Sequence, residues 1–330
     1  MSSNTSIEWT DRTWNPVRGC SLVSAGCANC YAMKTAHRFN QPGGAYDGLT
    51  EMGPNRPRWN GTIMTLPSEL ETPLHWKKPR RVFVNSMSDL FHEDVPDEFL
   101  DQAFAVMAIA KQHTYQILTK RPERMRDYFI GLAEKPSRRL YESVRGMFRY
   151  KGFTGQLGPE DTIPTRISVP FSNIWLGVSI EDQATADERI PILLQTPAAV
   201  RFVSAEPLLG PVHFNPWWLT RSVIDVTALT YGGQVRKPNP NPSLDWVIVG
   251  GESGPGARPC DVEWIRSIKR ECQAAAVPCF VKQIGANPLP FAGAKIKFYA
   301  PDQVGVDLTD KKGGDMAEWP EDLRIREFPR

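Results

Sequence analysis

Cys20, Cys27 and Cys30 fall within eleven residues, in the run Gly19-Cys20-Ser21-Leu22-Val23-Ser24-Ala25-Gly26-Cys27-Ala28-Asn29-Cys30-Tyr31. Three thiolates at this C-x6-C-x2-C spacing can hold zinc or an iron–sulfur cluster. Structural zinc asks for a fourth nearby ligand, which His37 can supply, but the second pair of a zinc ribbon is absent. A 4Fe-4S cluster on three cysteines keeps one iron without a protein ligand, a place for a substrate or cofactor. The bland alternative is three buried or incidental cysteines. Cys260, Cys272 and Cys279 lie more than two hundred residues away with irregular gaps. One falls in a helical stretch and one in a strand-like run, so they read as core cysteines. A disulfide framework is not expected of a large chain with a cytosolic character.

Six apolar strand-like runs follow, alternating with helical stretches. They are Arg81–Asn85, Tyr115–Thr119, Asn173–Ser179, Val200–Ser204, Asp245–Gly250 and Pro278–Lys282. Helices are expected at Pro96–Lys111, from about Pro122, at Gln183–Gln195 and at Val262–Ala276, with a short one starting near Cys30. This rhythm implies right-handed crossovers and a parallel α/β sheet. Each strand runs directly into polar or small residues, and parallel folds bind ligands outside the carboxyl ends of their strands. Polar ends on all six strands favour a partial (β/α)6 TIM-like barrel with rim insertions over a doubly wound open sheet. Residues 1–285 are expected to form this unit, with an irregular N-terminal segment over 1–60, insertions near 135–169 and 217–244, and a C-terminal extension over 286–330.

The 330 residues carry 39 Lys and Arg against 37 Asp and Glu, a formal net charge of +2. That excludes a polybasic binder while leaving room for a local basic groove. One candidate groove combines Lys77, Lys78, Arg80 and Arg81 with the insertion residues Arg138, Arg139, Tyr141, Arg145, Phe148, Arg149, Tyr150 and Lys151. Cations there can track phosphates while rings stack on bases. No run of 18 apolar residues occurs and the first residues lack a secretory pattern, so a cytoplasmic location is expected.

The cysteine cluster ahead of a βα repeat resembles the radical S-adenosylmethionine superfamily, whose partial (β/α)6 barrel holds a 4Fe-4S cluster near its first strand. More closely, six motifs resemble a phage-associated bacterial family of unknown function. They are Thr13-Trp14-Asn15-Pro16-Val17-Arg18-Gly19-Cys20, the cysteine run itself, Val84-Asn85-Ser86-Met87-Ser88-Asp89-Leu90-Phe91, Leu118-Thr119-Lys120-Arg121-Pro122, Leu176-Gly177-Val178-Ser179 and Val249-Gly250-Gly251-Glu252-Ser253-Gly254. The likeness spans roughly residues 7–285. Most of the superfamily uses C-x3-C-x2-C with an aromatic residue before the last cysteine. Here the first gap is six, Asn29 precedes Cys30 and Tyr31 follows it.

The resemblance implies that Cys20, Cys27 and Cys30 ligate three irons. The fourth iron would take the amino and carboxylate groups of S-adenosylmethionine, which one-electron reduction cleaves to a 5'-deoxyadenosyl radical. It also implies an external electron donor such as flavodoxin or ferredoxin. On this reading Asn85, Ser86 and Asp89 receive the methionine ammonium or hold the cluster side, with helix capping as the alternative. Lys120 and Arg121 meet a carboxylate or phosphate, and Ser179 and Glu181 meet the ribose. Gly250 and Gly251, with Glu252 after them, allow close backbone approach to a ligand. Glu206 and Lys282 are the candidate catalytic groups. The substrate class is expected to be nucleic acid, for modification or repair, with a peptide or small metabolite as the alternative. A non-catalytic zinc-containing nucleic-acid-binding protein is the reading from a different class.

Overall fold

The structure is a computed structural model and describes residues 5–134, 138–143, 169–220, 242–300 and 303–329. The apolar runs become one parallel sheet: β1 (Arg12–Trp14), β2 (Arg81–Val84), β3 (Thr114–Thr119), β4 (Ile174–Ile180), β5 (Val200–Ala205), β6 (Trp246–Gly250) and β7 (Cys279–Gln283). Every strand pairs in parallel with its neighbour in sequence, so sheet order equals chain order. The helices are α1 (Tyr31–His37), α2 (Asp97–Ile109), α3 (Pro122–Glu134), α4 (Gln183–Gln195) and α5 (Val262–Ala274). Six strands were expected, and the seventh, β1, lies in the segment read as irregular. It has three residues, of which Trp14 alone is buried, so it shows neither an apolar run nor an alternation.

Side-chain period two separates two cores. Val82, Val84, Ile117, Leu176, Val178, Val203, Val247 and Val281 face the helices and join one large cluster. Phe83, Phe202, Trp246, Ile248 and Phe280 face the other way and join a second cluster with Trp9, against which Leu118 and Trp175 pack. The sheet must curl to make that inner cluster. The Trp9 ring lies 4.6 Å from Phe83 on β2 and 6.3 Å from Trp246 on β6. In a flat sheet those strands would stand about 19 Å apart, four spacings of ~4.8 Å. The result is an open, curled partial barrel with an aromatic floor.

Residues beyond β7 complete that floor. Phe328 packs 5.4 Å from Trp246 and 5.3 Å from Phe280, and the indole of Trp246 donates to the Glu327 carbonyl at 2.8 Å. Trp319 and Leu323 are buried in the helix-side core. One glycine is required by packing: a Cβ on Gly177 of β4 would lie 2.6 Å from the Phe202 ring. Gly177→Ala is therefore expected to destabilise the protein by about 1–3 kcal/mol. Urea denaturation of both proteins measures it, and an unchanged midpoint would contradict the tight inner packing.

Most of the two expected insertions lies outside the described residues, which omit 135–137, 144–168 and 221–241. Arg145, Phe148, Arg149, Tyr150 and Lys151 fall there. Among the described residues no helix is long and apolar enough to cross a membrane.

Candidate functional site

Inner-face alternation continues past the strands and builds the site in layers. Above the aromatic floor come Asn85 after β2, Ser204 on β5 and Lys282 on β7. Above these come Lys120, Glu181, Glu206 and Glu252, just beyond the ends of β3, β4, β5 and β6. A cavity of about 260 Å³ opens at this carboxyl end of the sheet. Its wall includes Cys20, Cys27 and Cys30, and its lower part includes Trp9, Phe83 and Leu118.

All three cysteines come from the connection between β1 and β2. Cys20 precedes a short 3-10 turn at Ala25–Cys27, and Cys30 sits at the N-terminus of α1. Burial and the Asp89 carboxylate push the Cys20 thiol up to about 12, against the pull of Arg121, and the charges of Cys30 and Cys27 add to the rise. Burial also raises the Cys30 thiol, while the Met33 and Ala32 amides oppose it. The thiols are thus near enough to feel one another. Even so, among the described residues no three His, Cys, Asp or Glu side chains gather closely enough to hold one metal ion. His37 is not on the cavity wall, and its Nδ1 stands 3.0 Å from Thr50 Oγ1. The three thiols share one cavity wall.

The cysteine run is fastened to the barrel at four of its residues. Ser21 Oγ accepts from Arg121 Nη2 at 2.6 Å and stands 2.9 Å from His92 Nε2. Ser24 Oγ donates to Glu181 Oε1 at 3.0 Å. Asn29 Nδ2 donates to Glu252 Oε2 at 2.7 Å, and Arg258 Nη1 donates to the Ala25 carbonyl at 2.8 Å. Gly26 is required here, because its Cβ would lie 2.4 Å from Glu181 Oε1.

These fastenings redefine several expected ligand-binding residues. Asp89 accepts from Thr119 Oγ1 at 2.7 and 2.9 Å, from the amides of Lys120 and Phe91, and from Arg121 Nη1 at 3.1 Å. Glu181 has no exposed surface and is absent from the cavity wall. Lys120, Arg189 and Ser24 engage its carboxylate, so it braces the cysteine run and does not stand open to a ribose. Glu252 reaches the wall with both oxygens held by Arg258 and Asn29. Burial opposes its ionisation, but those hydrogen bonds prevail and hold its carboxyl below the usual range. Gly250 and Gly251 let other parts of the chain approach closely, and Gly251 also lines the cavity. A Cβ on Gly250 would lie 2.8 Å from Glu206 Oε1, and one on Gly251 would lie 2.5 Å from the Ile284 carbonyl.

Asn85, Ser86, Asp89, Ser179, Glu206 and Lys282 do line the cavity. Ser86 Oγ donates to Asn15 Oδ1 at 3.2 Å. Ser204 Oγ donates to Glu206 Oε2 at 3.0 Å, and Lys282 Nζ lies 3.3 Å from Glu206 Oε1 without hydrogen-bond alignment. Sequence reasoning missed Trp9, Ser21, Ser24, Arg189 and Arg258. Of these only Ser21 and Ser24 offered a signal, as polar residues between the cysteines.

The expected basic groove is not assembled from its described members. Lys77, Lys78, Arg80 and Arg81 lead into or begin β2, at the end of the barrel opposite the cavity. Arg81 pairs with Asp11 at 3.2 Å and stacks 4.1 Å over Phe328. Arg139 pairs with Asp101 at 2.7 Å and lies over Tyr128, while Arg138 pairs with Glu142.

Comparison with known proteins gives one family. The family described as "Protein of unknown function (DUF5131)" matches residues 4–309. No curated protein matches the chain. Among solved structures, spore photoproduct lyase complexed with dinucleoside spore photoproduct aligns at a TM-score of 0.37 and 10% identity, over 94% of this chain and 72% of that one. A cysteine-to-serine mutant of a spore photoproduct lyase aligns at 0.36 and 10%, with the same coverage.

Proposed function

We propose that this chain, which belongs to the family described as "Protein of unknown function (DUF5131)", is a radical S-adenosylmethionine enzyme. The observation that carries this reading is the placing of Cys20, Cys27 and Cys30 on one cavity wall at the carboxyl end of a partial barrel. On this reading the three thiolates hold a 4Fe-4S cluster and leave one iron for the cofactor. When bound, the cluster and S-adenosylmethionine supply one-electron cleavage to a 5'-deoxyadenosyl radical. Against the zinc-protein reading, His37 is not on the cavity wall that carries the three cysteines.

The chain's own residues orient and shield. Glu181, Arg121 and Arg258 fix the cysteine run from the connections after β4, β3 and β6. Ser86 and Ser179 offer hydroxyls from the wall to the cofactor's polar groups. Trp9, Phe83 and Leu118 close the lower end against water, which protects a reactive species from side reactions. Electrons would come from a small external donor such as flavodoxin or ferredoxin. The cytoplasm suits such a donor and a cluster built on free thiols.

Anaerobic reconstitution with iron and sulfide tests the proposal. The expected result is about four irons per chain and, after reduction, formation of 5'-deoxyadenosine from S-adenosylmethionine. Zinc in place of iron, or a full cluster that never cleaves S-adenosylmethionine, would overturn it.

A further inference from the structure

The deep layer of the cavity holds polar groups that the protein leaves unsatisfied. Asn85 is 2% exposed and lines the cavity, yet neither Oδ1 nor Nδ2 has a hydrogen-bond partner. Its φ of 59° places it in the left-handed region, which asparagine tolerates better than most residues. Trp9 is also 2% exposed and on the wall, with an unpartnered indole N–H. Burying such groups without partners costs about 1–3 kcal/mol each. Two of them around one cavity are a place where a ligand can repay that cost.

The chemistry of the layer narrows the ligand. Asn85 presents one acceptor and one donor, so an ammonium would satisfy only half of it. A ligand edge carrying an acceptor beside a donor satisfies both. The indole N–H asks for a further acceptor. Across the layer Glu206 and Lys282 neutralise each other at 3.3 Å, which disfavours a ligand with net charge. Glu206 Oε1 still lacks a hydrogen bond. Phe83, Leu118 and the Trp9 ring give the layer apolar sides.

The geometry points to a substrate subsite for a neutral heteroaromatic nucleobase, bound by the Asn85 amide and the Trp9 N–H. The subsite lies below the residues that fasten the cysteine run. This rests on the radical-enzyme reading for its role as a substrate site, but base binding itself needs no cluster. The adenine of S-adenosylmethionine shares the same chemistry, so the test must separate the two sources.

Calorimetric titration of the purified protein with uridine, cytidine, adenosine and guanosine tests the proposal, each with and without saturating S-adenosylhomocysteine. At least one nucleoside is expected to bind, and to stay bound in the presence of S-adenosylhomocysteine. Trp9→Phe keeps the ring and removes the donor, and Asn85→Asp keeps the backbone preference and removes the amide donor. Each is expected to weaken that nucleoside about tenfold, the effect of one lost hydrogen bond. Circular dichroism confirms folding, and either folded variant suffices. Binding of none of the four, displacement by S-adenosylhomocysteine, or parental affinity in a folded variant overturns the proposal. Iron content plays no part in these readouts, so failure here is distinct from failure of the cluster.

Discussion

Cys30→Ser is expected to reduce iron retained after anaerobic reconstitution to background and to abolish 5'-deoxyadenosine formation. A serine hydroxyl is a far harder, more weakly acidic ligand than a thiol, and Cys30 occupies the start of α1, where the chain turns toward the cavity. Its backbone role needs no sulfur, because the 3-10 turn and α1 are held by main-chain hydrogen bonds and by Asn29. The folded state should therefore survive. The control is Cys272→Ser. Cys272 is fully buried in the helix-side core, so a hydroxyl there is expected to destabilise by about 1–3 kcal/mol while iron binding remains. Iron analysis and thermal melts on both variants give the comparison. Equal iron in Cys30→Ser and the parent would remove the cluster assignment.

The second large effect is expected at Glu181. Its carboxylate has no exposed surface and meets two cations, Lys120 and the 3% exposed Arg189 side chain. Removing the anion leaves those charges buried and uncompensated, which typically costs about 3–5 kcal/mol. Glu181→Ala also releases Ser24 and empties the space that forces glycine at position 26. The expected outcome is a protein that melts several degrees lower and whose Cys27 alkylates faster in the metal-free state. Glu181→Gln keeps the shape and should fall between the two. Thiol-trapping mass spectrometry with a denaturation curve checks both parts, and a stable variant with unchanged trapping would show that the brace is unimportant.

The fold was legible in six strands because each has a compact apolar run followed by polar residues. The helix expected from about Gln183 to Gln195 forms there, and the structure shows Asp182 and Thr185 capping it reciprocally. β1 was hidden, because a three-residue edge strand carries no period. The cavity residues were legible by strand end, through Asn85, Ser179, Glu206 and Lys282. Their division of labour was not. Whether a carboxylate at a strand end faces a ligand or an arginine depends on how the following segment folds back, as Arg189 on Glu181 and Arg258 on Glu252 show. The glycine pair at 250 and 251 also accommodates parts of the chain far away in sequence, at Glu206 and Ile284.

The fastening of Asn29 to Glu252 spans 223 residues. A ribosome must therefore make most of the protein before the cysteine run can take its final position. The neighbouring βα units can fold as they emerge, since their contacts are local, but long-range closure comes late. On the cluster reading, assembly machinery meets a nearly finished barrel and not a nascent chain. The timing of iron insertion is thus written into which residues hold the cysteines in place.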